Sequence, residues 1–229
     1  MIIGGLQKLS LVDYPGHSAA VIFTLGCNFR CGYCHDPEMV LPERYPQPLS
    51  VEDVFSFLEK RRGKLDAVVV CGGEPTIHDD LPDLLRRIKQ LGFLVKLDSN
   101  GTRPKMIAEI INNEHVDLIA MDIKGPLWKY STIASRPVDT DAITESIKLI
   151  LKSGLQHEFR TTIVKELLTF DDFDEIGQLV QGANRFALQK FVPGKTLSPQ
   201  FARKFAYTDA EMELIKQKMD KYVKLCVIH

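Results

Sequence analysis

The sequence predicts an α/β fold, a partial (β/α)6 barrel of parallel strands open on one side. Three observations predict it. Six apolar, β-branched runs recur along the chain. Helix-like segments separate them, and the gaps are long enough for the crossovers that parallel neighbours need. The 229 residues fall short of the ~250 of a complete eight-stranded barrel. On pattern alone a doubly wound open sheet competes with the partial barrel. In either, ligands bind beyond the carboxyl ends of the strands.

The strand-like runs are Ala20–Leu25, Ala67–Cys71, Phe93–Asp98, Asp117–Asp122, Glu158–Val164 and Arg185–Val192. The first predicted helix is Ser50–Arg62, with Ser50 as cap and Glu52 and Asp53 in its first turn. Leu81–Leu91 repeats apolar residues at helical spacing and stops at Gly92. Lys105–Asn113, Thr140–Lys152 (stopped by Gly154), Phe173–Gln181 and about Asp209–Val223 complete the set. Arg103–Pro104 and Ser135–Pro137 read as loops. The expected organisation is one domain over 1–229, with a core over about 15–195 and a helical extension over about 196–229.

Composition excludes several classes. Lys and Arg total 29 against 30 Asp and Glu, a net charge of -1; a nucleic-acid footprint normally shows as a basic excess. No apolar run approaches the ~20 residues of a membrane span, and the N-terminus lacks the pattern of an export signal. A cytoplasmic protein with no membrane or nucleic-acid partner is expected. Nothing resembling a coiled-coil repeat argues for a fixed oligomer, so a monomer or weak dimer is expected.

Polar residues gather at the ends of the predicted strands. The first runs into Cys27, Cys31 and Cys34, the second into Gly72-Gly73-Glu74-Pro75, the third into Asp98-Ser99-Asn100-Gly101. The fourth ends Asp122-Ile123-Lys124, and the fifth carries Arg160 with Thr162 or Thr161. Thiols, carboxylates, a lysine and an arginine on one rim make a poor core and a good active site. The five cysteines are uneven: three lie within eight residues, while Cys71 and Cys226 are isolated. Soft thiolates at such spacing select zinc or an iron–sulfur cluster. Three of them also suit a [4Fe–4S] cube whose fourth iron is left for an outside ligand. Structural zinc, as in a metal-stabilised binding module, and a buried or redox trio of thiols are the alternatives on spacing alone.

The run CNFRCGYC, followed by GGEP after the next predicted strand, resembles the radical S-adenosylmethionine (SAM) superfamily. The wider set GGLQKLSLVDYPGHSAAVIFTLGCNFRCGYCHDPEMV, CGGEPT, DSNG, MDIKGP, EFRTTIV and FVPG resembles the glycyl-radical-enzyme activases. Within these it is most like the activating proteins of anaerobic ribonucleoside-triphosphate reductase, with pyruvate formate-lyase activases as relatives. The resemblance implies an oxidoreductase with a partial (β/α)6 barrel. Cys27, Cys31 and Cys34 would ligate a [4Fe–4S] cluster and SAM would chelate its fourth iron. The reduced cluster would cleave SAM to methionine and a 5′-deoxyadenosyl radical, which would take an α-hydrogen from a glycine of a partner enzyme.

The same resemblance places Tyr33 beside the adenine and Gly72, Gly73 and Glu74 at the SAM amino group. It has Lys124 reach SAM and sets Asp98 near its ribose or carboxylate end. Arg160 would meet the SAM carboxylate or the partner's loop. Asp98, Ser99 and Asp122 match the ligand positions of a monovalent cation in related activases. His35 is expected to make local hydrogen bonds, since ligating the open iron would block SAM. Flavodoxin or ferredoxin would donate the electron. A radical SAM enzyme acting on a small molecule or nucleoside is the alternative within the superfamily.

Overall fold

A computed structural model describes all residues, Met1–His229. Its strands are β1 (Ile3–Ser10), β2 (Ala19–Thr24), β3 (Ala67–Gly72), β4 (Leu94–Ser99), β5 (Leu118–Asp122), β6 (Gln156–Ile163), β7 (Arg185–Lys190) and β8 (Cys226–Ile228). They form one sheet in chain order, open rather than closed on itself. The helices are α1 (Pro37–Val40), α2 (Val51–Glu59), α3 (Leu81–Gln90), α4 (Pro104–Asn112), α5 (Tyr130–Ala134), α6 (Thr140–Lys152), α7 (Asp172–Leu179) and α8 (Asp209–Met219). This is the expected α/β class, with helices flanking a mostly parallel sheet. All six predicted strands and all six predicted helices are present. Two strands (β1, β8) and two short helices (α1, α5) join them, and Pro104 opens α4 rather than lying in a loop.

The chain divides into two compact units. The first comprises 1–28, 36–99 and 105–119. Here β2, β3 and β4 run parallel, and β1 pairs antiparallel with β2. The register aligns Val21, Val69 and Lys96 in one row. Tyr14, from the β1–β2 connection, packs against Ala19, Val21, Ala67 and Val69. Strand alternation sends these side chains to one face. Helix α3 packs against β4. Ser50 caps α2 by accepting the Asp53 N–H at 3.4 Å. In α3, Leu81, Leu84, Leu85 and Ile88 are buried at the spacing of a single helical stripe.

The second unit comprises 29–35, 100–104 and 120–229. Strands β6, β7 and β8 are parallel, with Arg160 beside Ala187 and Thr162 beside Gln189. Asp139 caps α6 by accepting two backbone N–H groups, and Thr208 with Glu211 forms a reciprocal capping box on α8. Phe159, Phe173 and Phe186 are among the largest fully buried side chains. The 196–229 stretch therefore carries a helix and a short strand.

Candidate functional site

In the first unit the chain leaves β2 through Gly26 to Cys27. Gly26 has φ +95°, a left-handed conformation that suits glycine. Its N–H donates to the Met39 carbonyl at 2.8 Å, and its carbonyl accepts the Glu74 N–H at 2.7 Å. The Gly72-Gly73 pair after β3 is demanded by space. A Cβ on Gly72 would lie 2.5 Å from the Thr24 nitrogen, and one on Gly73 only 1.9 Å from the Gly26 carbonyl oxygen. Only bare backbone fits between the Cys27 approach and the β3 terminus.

Glu74 is buried, 1% exposed. Its Oε1 accepts the Thr76 N–H at 3.1 Å, the Thr76 hydroxyl at 2.5 Å and the Ser99 hydroxyl at 2.9 Å. It thus clamps its own turn and ties it to the end of β4, a role that sequence reading did not assign. Asp98, on the same strand end, lies 3.1 Å from the Lys96 ammonium. His78 Nε2 bonds the Leu25 carbonyl at 2.8 Å, and burial lowers its pKa.

In the second unit Cys31 and Cys34 share a turn, with the Cys34 N–H donating to the Cys31 carbonyl at 3.0 Å. A segment far downstream braces this turn. Leu197 N–H donates to the Cys34 carbonyl at 2.8 Å, and Ser198 N–H to the Gly32 carbonyl at 2.9 Å. The Phe201 ring covers Gly32 so closely that a Cβ there would sit 2.3 Å from it. Tyr33 is buried and meets Phe201 edge-on, ring centroids 6.2 Å apart. His35 stacks on Phe191, 5.5 Å between centroids, and its Nε2 bonds the Val192 carbonyl at 2.8 Å.

The charged set of this unit centres on Asp122. Arg160 Nε donates to one carboxylate oxygen at 2.5 Å and Lys124 Nζ to the other at 2.9 Å. Burial would raise the Asp122 pKa, but Arg160 and Lys124 hold it well below the usual carboxylate range. Burial would likewise lower the Lys124 pKa, but Asp122, Tyr33 and Cys31 hold it well above the ordinary value. The Lys124 ammonium lies 5.9 Å from the Tyr33 ring centroid. Burial pushes the Cys31 thiol up, and Lys124 partly offsets it.

The first unit thus holds Cys27, Gly72, Gly73, Glu74, Asp98 and Ser99. The second holds Cys31, Tyr33, Cys34, Asp122, Lys124 and Arg160, with the last three joined in one ionic network. Two residues escaped sequence reading: Lys96, a lysine inside an apolar strand run, and Phe201, in a stretch without regular pattern. None of the five cysteines forms a disulfide.

Comparisons with known proteins give the family. The model of the radical SAM superfamily matches residues 21–180. A protein of Methanocaldococcus jannaschii named "Putative glycyl-radical enzyme activating enzyme MJ1227" is 32% identical over 232 residues, which covers 99% of this chain and 95% of that protein. The pyruvate formate-lyase-activating enzyme of Clostridium pasteurianum is 31% identical over 127 residues, 53% of this chain and 52% of that one. Among solved structures, Streptococcus suis SuiB bound to S-adenosylmethionine superposes with a TM-score of 0.69 at 14% identity. That match covers 91% of this chain and 49% of SuiB, so the chain spans about half of SuiB's length, and at that identity the likeness shows the fold alone. No helix is long and apolar enough to cross a membrane. An iron–sulfur cluster and SAM are the cofactors of such an oxidoreductase, and the chain belongs to the radical SAM superfamily.

Proposed function

We propose that this enzyme is a glycyl-radical-enzyme activase, which removes one hydrogen from a glycine α-carbon of a separate protein. Anaerobic ribonucleoside-triphosphate reductase is the leading candidate for that partner. The observation that carries the reading is the similarity to the M. jannaschii protein, which runs through 99% of this chain and 95% of that one. A likeness confined to the cofactor-binding half would support the superfamily without this substrate class.

In this reading Cys27, Cys31 and Cys34 hold the cluster as thiolates. When bound, the cluster and SAM supply the adenosyl radical that accepts the glycine hydrogen; that chemistry belongs to the cofactors. The chain's share is binding and orientation. Gly72 and Gly73 offer uncovered backbone to the SAM amino group, in a turn that Glu74 fixes. Asp122 holds Lys124 and Arg160 at a set spacing, so that two cationic groups are presented together to an anionic ligand. Tyr33, with its phenol pKa raised by burial, stays neutral as a face for the adenine. Asp98 and Ser99 bound the ribose side. Flavodoxin or ferredoxin serves as the reductant.

The experiment is anaerobic. Reconstituted, reduced protein is mixed with SAM and purified glycyl-radical enzymes, each read by electron paramagnetic resonance. A glycine-centred doublet on one partner is the expected result. Methionine release with no doublet on any of them would replace the activase reading with action on a small molecule or nucleoside.

A further inference from the structure

We infer that Lys96 is a built-in cation, whose ammonium stands beside Asp98 where related activases would place a monovalent metal ion. The inference rests on the activase reading, which makes Asp98, Ser99 and Asp122 the expected ligands of that ion.

The strand alone brings the pair together. Lys96 and Asp98 are two residues apart in β4, so alternation points both to the same face. On that face Lys96 stands in one row with Val21 and Val69, a setting that gives an ammonium no partners of its own. Lys96 is 5% exposed, and a buried ammonium needs oxygen ligands. Its ammonium donates to the Asp13 carbonyl at 2.7 Å and stands in an ion pair with an Asp98 carboxylate oxygen at 3.1 Å. The first is held in place by its turn. The Ser10 hydroxyl accepts the N–H groups of Val12 and Asp13, both at 3.2 Å, and donates to the Asp13 carboxylate at 2.5 Å. A carbonyl and a carboxylate around one positive centre are the donors an alkali ion would use, but here a lysine supplies the charge.

Ser99, the neighbouring expected ligand, is tied to the turn after β3. The Ser99 hydroxyl donates to Glu74 at 2.9 Å. A metal ion at Asp98 would sit against a buried like charge, which low-dielectric surroundings penalise strongly. The residues present do not fit the ion. Lys96 is therefore a positioning residue: it orients Asp98 with no dependence on the salt of the medium.

The test uses the reconstituted holoprotein in potassium, sodium and choline chloride at equal ionic strength. SAM affinity is measured by calorimetry and the midpoint Tm by thermal melting. Wild type should bind SAM with a Kd that agrees within about twofold across the three salts, and its Tm should not move. Lys96→Met should bind SAM about tenfold more weakly in choline chloride, and potassium or sodium should restore affinity and raise Tm in a concentration-dependent way. A wild type whose affinity or Tm falls in choline chloride overturns the inference, as does a folded Lys96→Met that neither alkali ion changes. If Lys96→Met does not fold, the wild-type salt series decides alone. Wild type that binds SAM in none of the salts would count against the activase reading, and its melting series would still judge Lys96.

Discussion

Gly73→Ala adds one methyl group where the chain has no room for it. The new Cβ would lie 1.9 Å from the Gly26 carbonyl oxygen, 2.6 Å from its carbon and 3.0 Å from the Met39 carbonyl oxygen. All three are backbone atoms, so no side-chain rotation relieves the contact. To reach even the 3.0 Å that real Cβ atoms essentially never go below, the Gly26 peptide must retreat by about 1 Å. The Glu74 N–H to Gly26 carbonyl bond at 2.7 Å spans the same gap and would be stretched or lost. Overpacking costs about 1–3 kcal/mol and a lost buried hydrogen bond about 1 more, so about 2–4 kcal/mol is expected in all. The displaced peptide directly precedes Cys27, so iron content after reconstitution should fall as well. Gly63→Ala is the control: φ is +69° and nothing lies within 4 Å of the added carbon, so only backbone strain of about 1 kcal/mol is expected. Denaturant unfolding of the two apoproteins, with iron analysis of the reconstituted forms, makes the comparison. A Gly73→Ala protein as stable as Gly63→Ala, with full iron content, would refute the steric argument.

Four further outcomes follow from other sites. Cys31→Ala, reconstituted anaerobically, should lose SAM cleavage while circular dichroism reports a folded barrel; retained cleavage would defeat its assignment as a ligand. Arg160→Met should cost about 1–3 kcal/mol in denaturant unfolding, because Asp122 keeps Lys124 and its side chain is 28% exposed; a loss under about 0.5 kcal/mol would show that the pair carries little stability. His157 is buried, its Nδ1 facing the Leu155 carbonyl and its Nε2 the Asn184 N–H, and burial lowers its pKa from 6.5. The unfolded chain therefore binds that proton more readily, and stability is full above pH 6.5 and declines as pH falls below it; His157→Gln should flatten the slope of stability against pH in that range, and an unchanged slope would exclude His157 as its source. Burial pushes the Cys226 thiol up to about 12, so iodoacetamide should alkylate the half-buried Cys27 and Cys34 of the apoprotein well before Cys226; early labelling of Cys226 in a mass-spectrometric time course would contradict its burial.

What could be read in the sequence was what is written locally. The cysteine triplet, the Gly-Gly-Glu-Pro turn and the caps at Ser50 and Gly92 depend on residues a few positions apart, and the structure builds the Cys31–Cys34 turn, the glycine turn and both caps locally. Strand β8 is three residues long and exists because β7 offers an edge to it, which no local pattern encodes. Strand β1 was hidden by Gly4 and Gly5; a Cβ on Gly4 would lie 2.3 Å from Leu25, so the glycine reflects a close packing distance rather than a turn. Charges are legible as site candidates, and so is Lys124 as a partner for a neighbouring carboxylate, but the distant pairs are not. Arg160 meets Asp122 across 38 residues, and Lys96 reaches Asp13 across 83. Glu74 reads as ligand-facing by motif, whereas the hydroxyls of Thr76 and Ser99 draw it into its own framework.

The brace from Leu197 to Phe201 on the Cys31–Cys34 turn sets an order of events during synthesis. A ribosome releases Cys31 and Cys34 first and this clasp more than 160 positions later by sequence. Until then the turn lacks two backbone bonds and an aromatic cover, so a settled loop for iron awaits synthesis past Phe201.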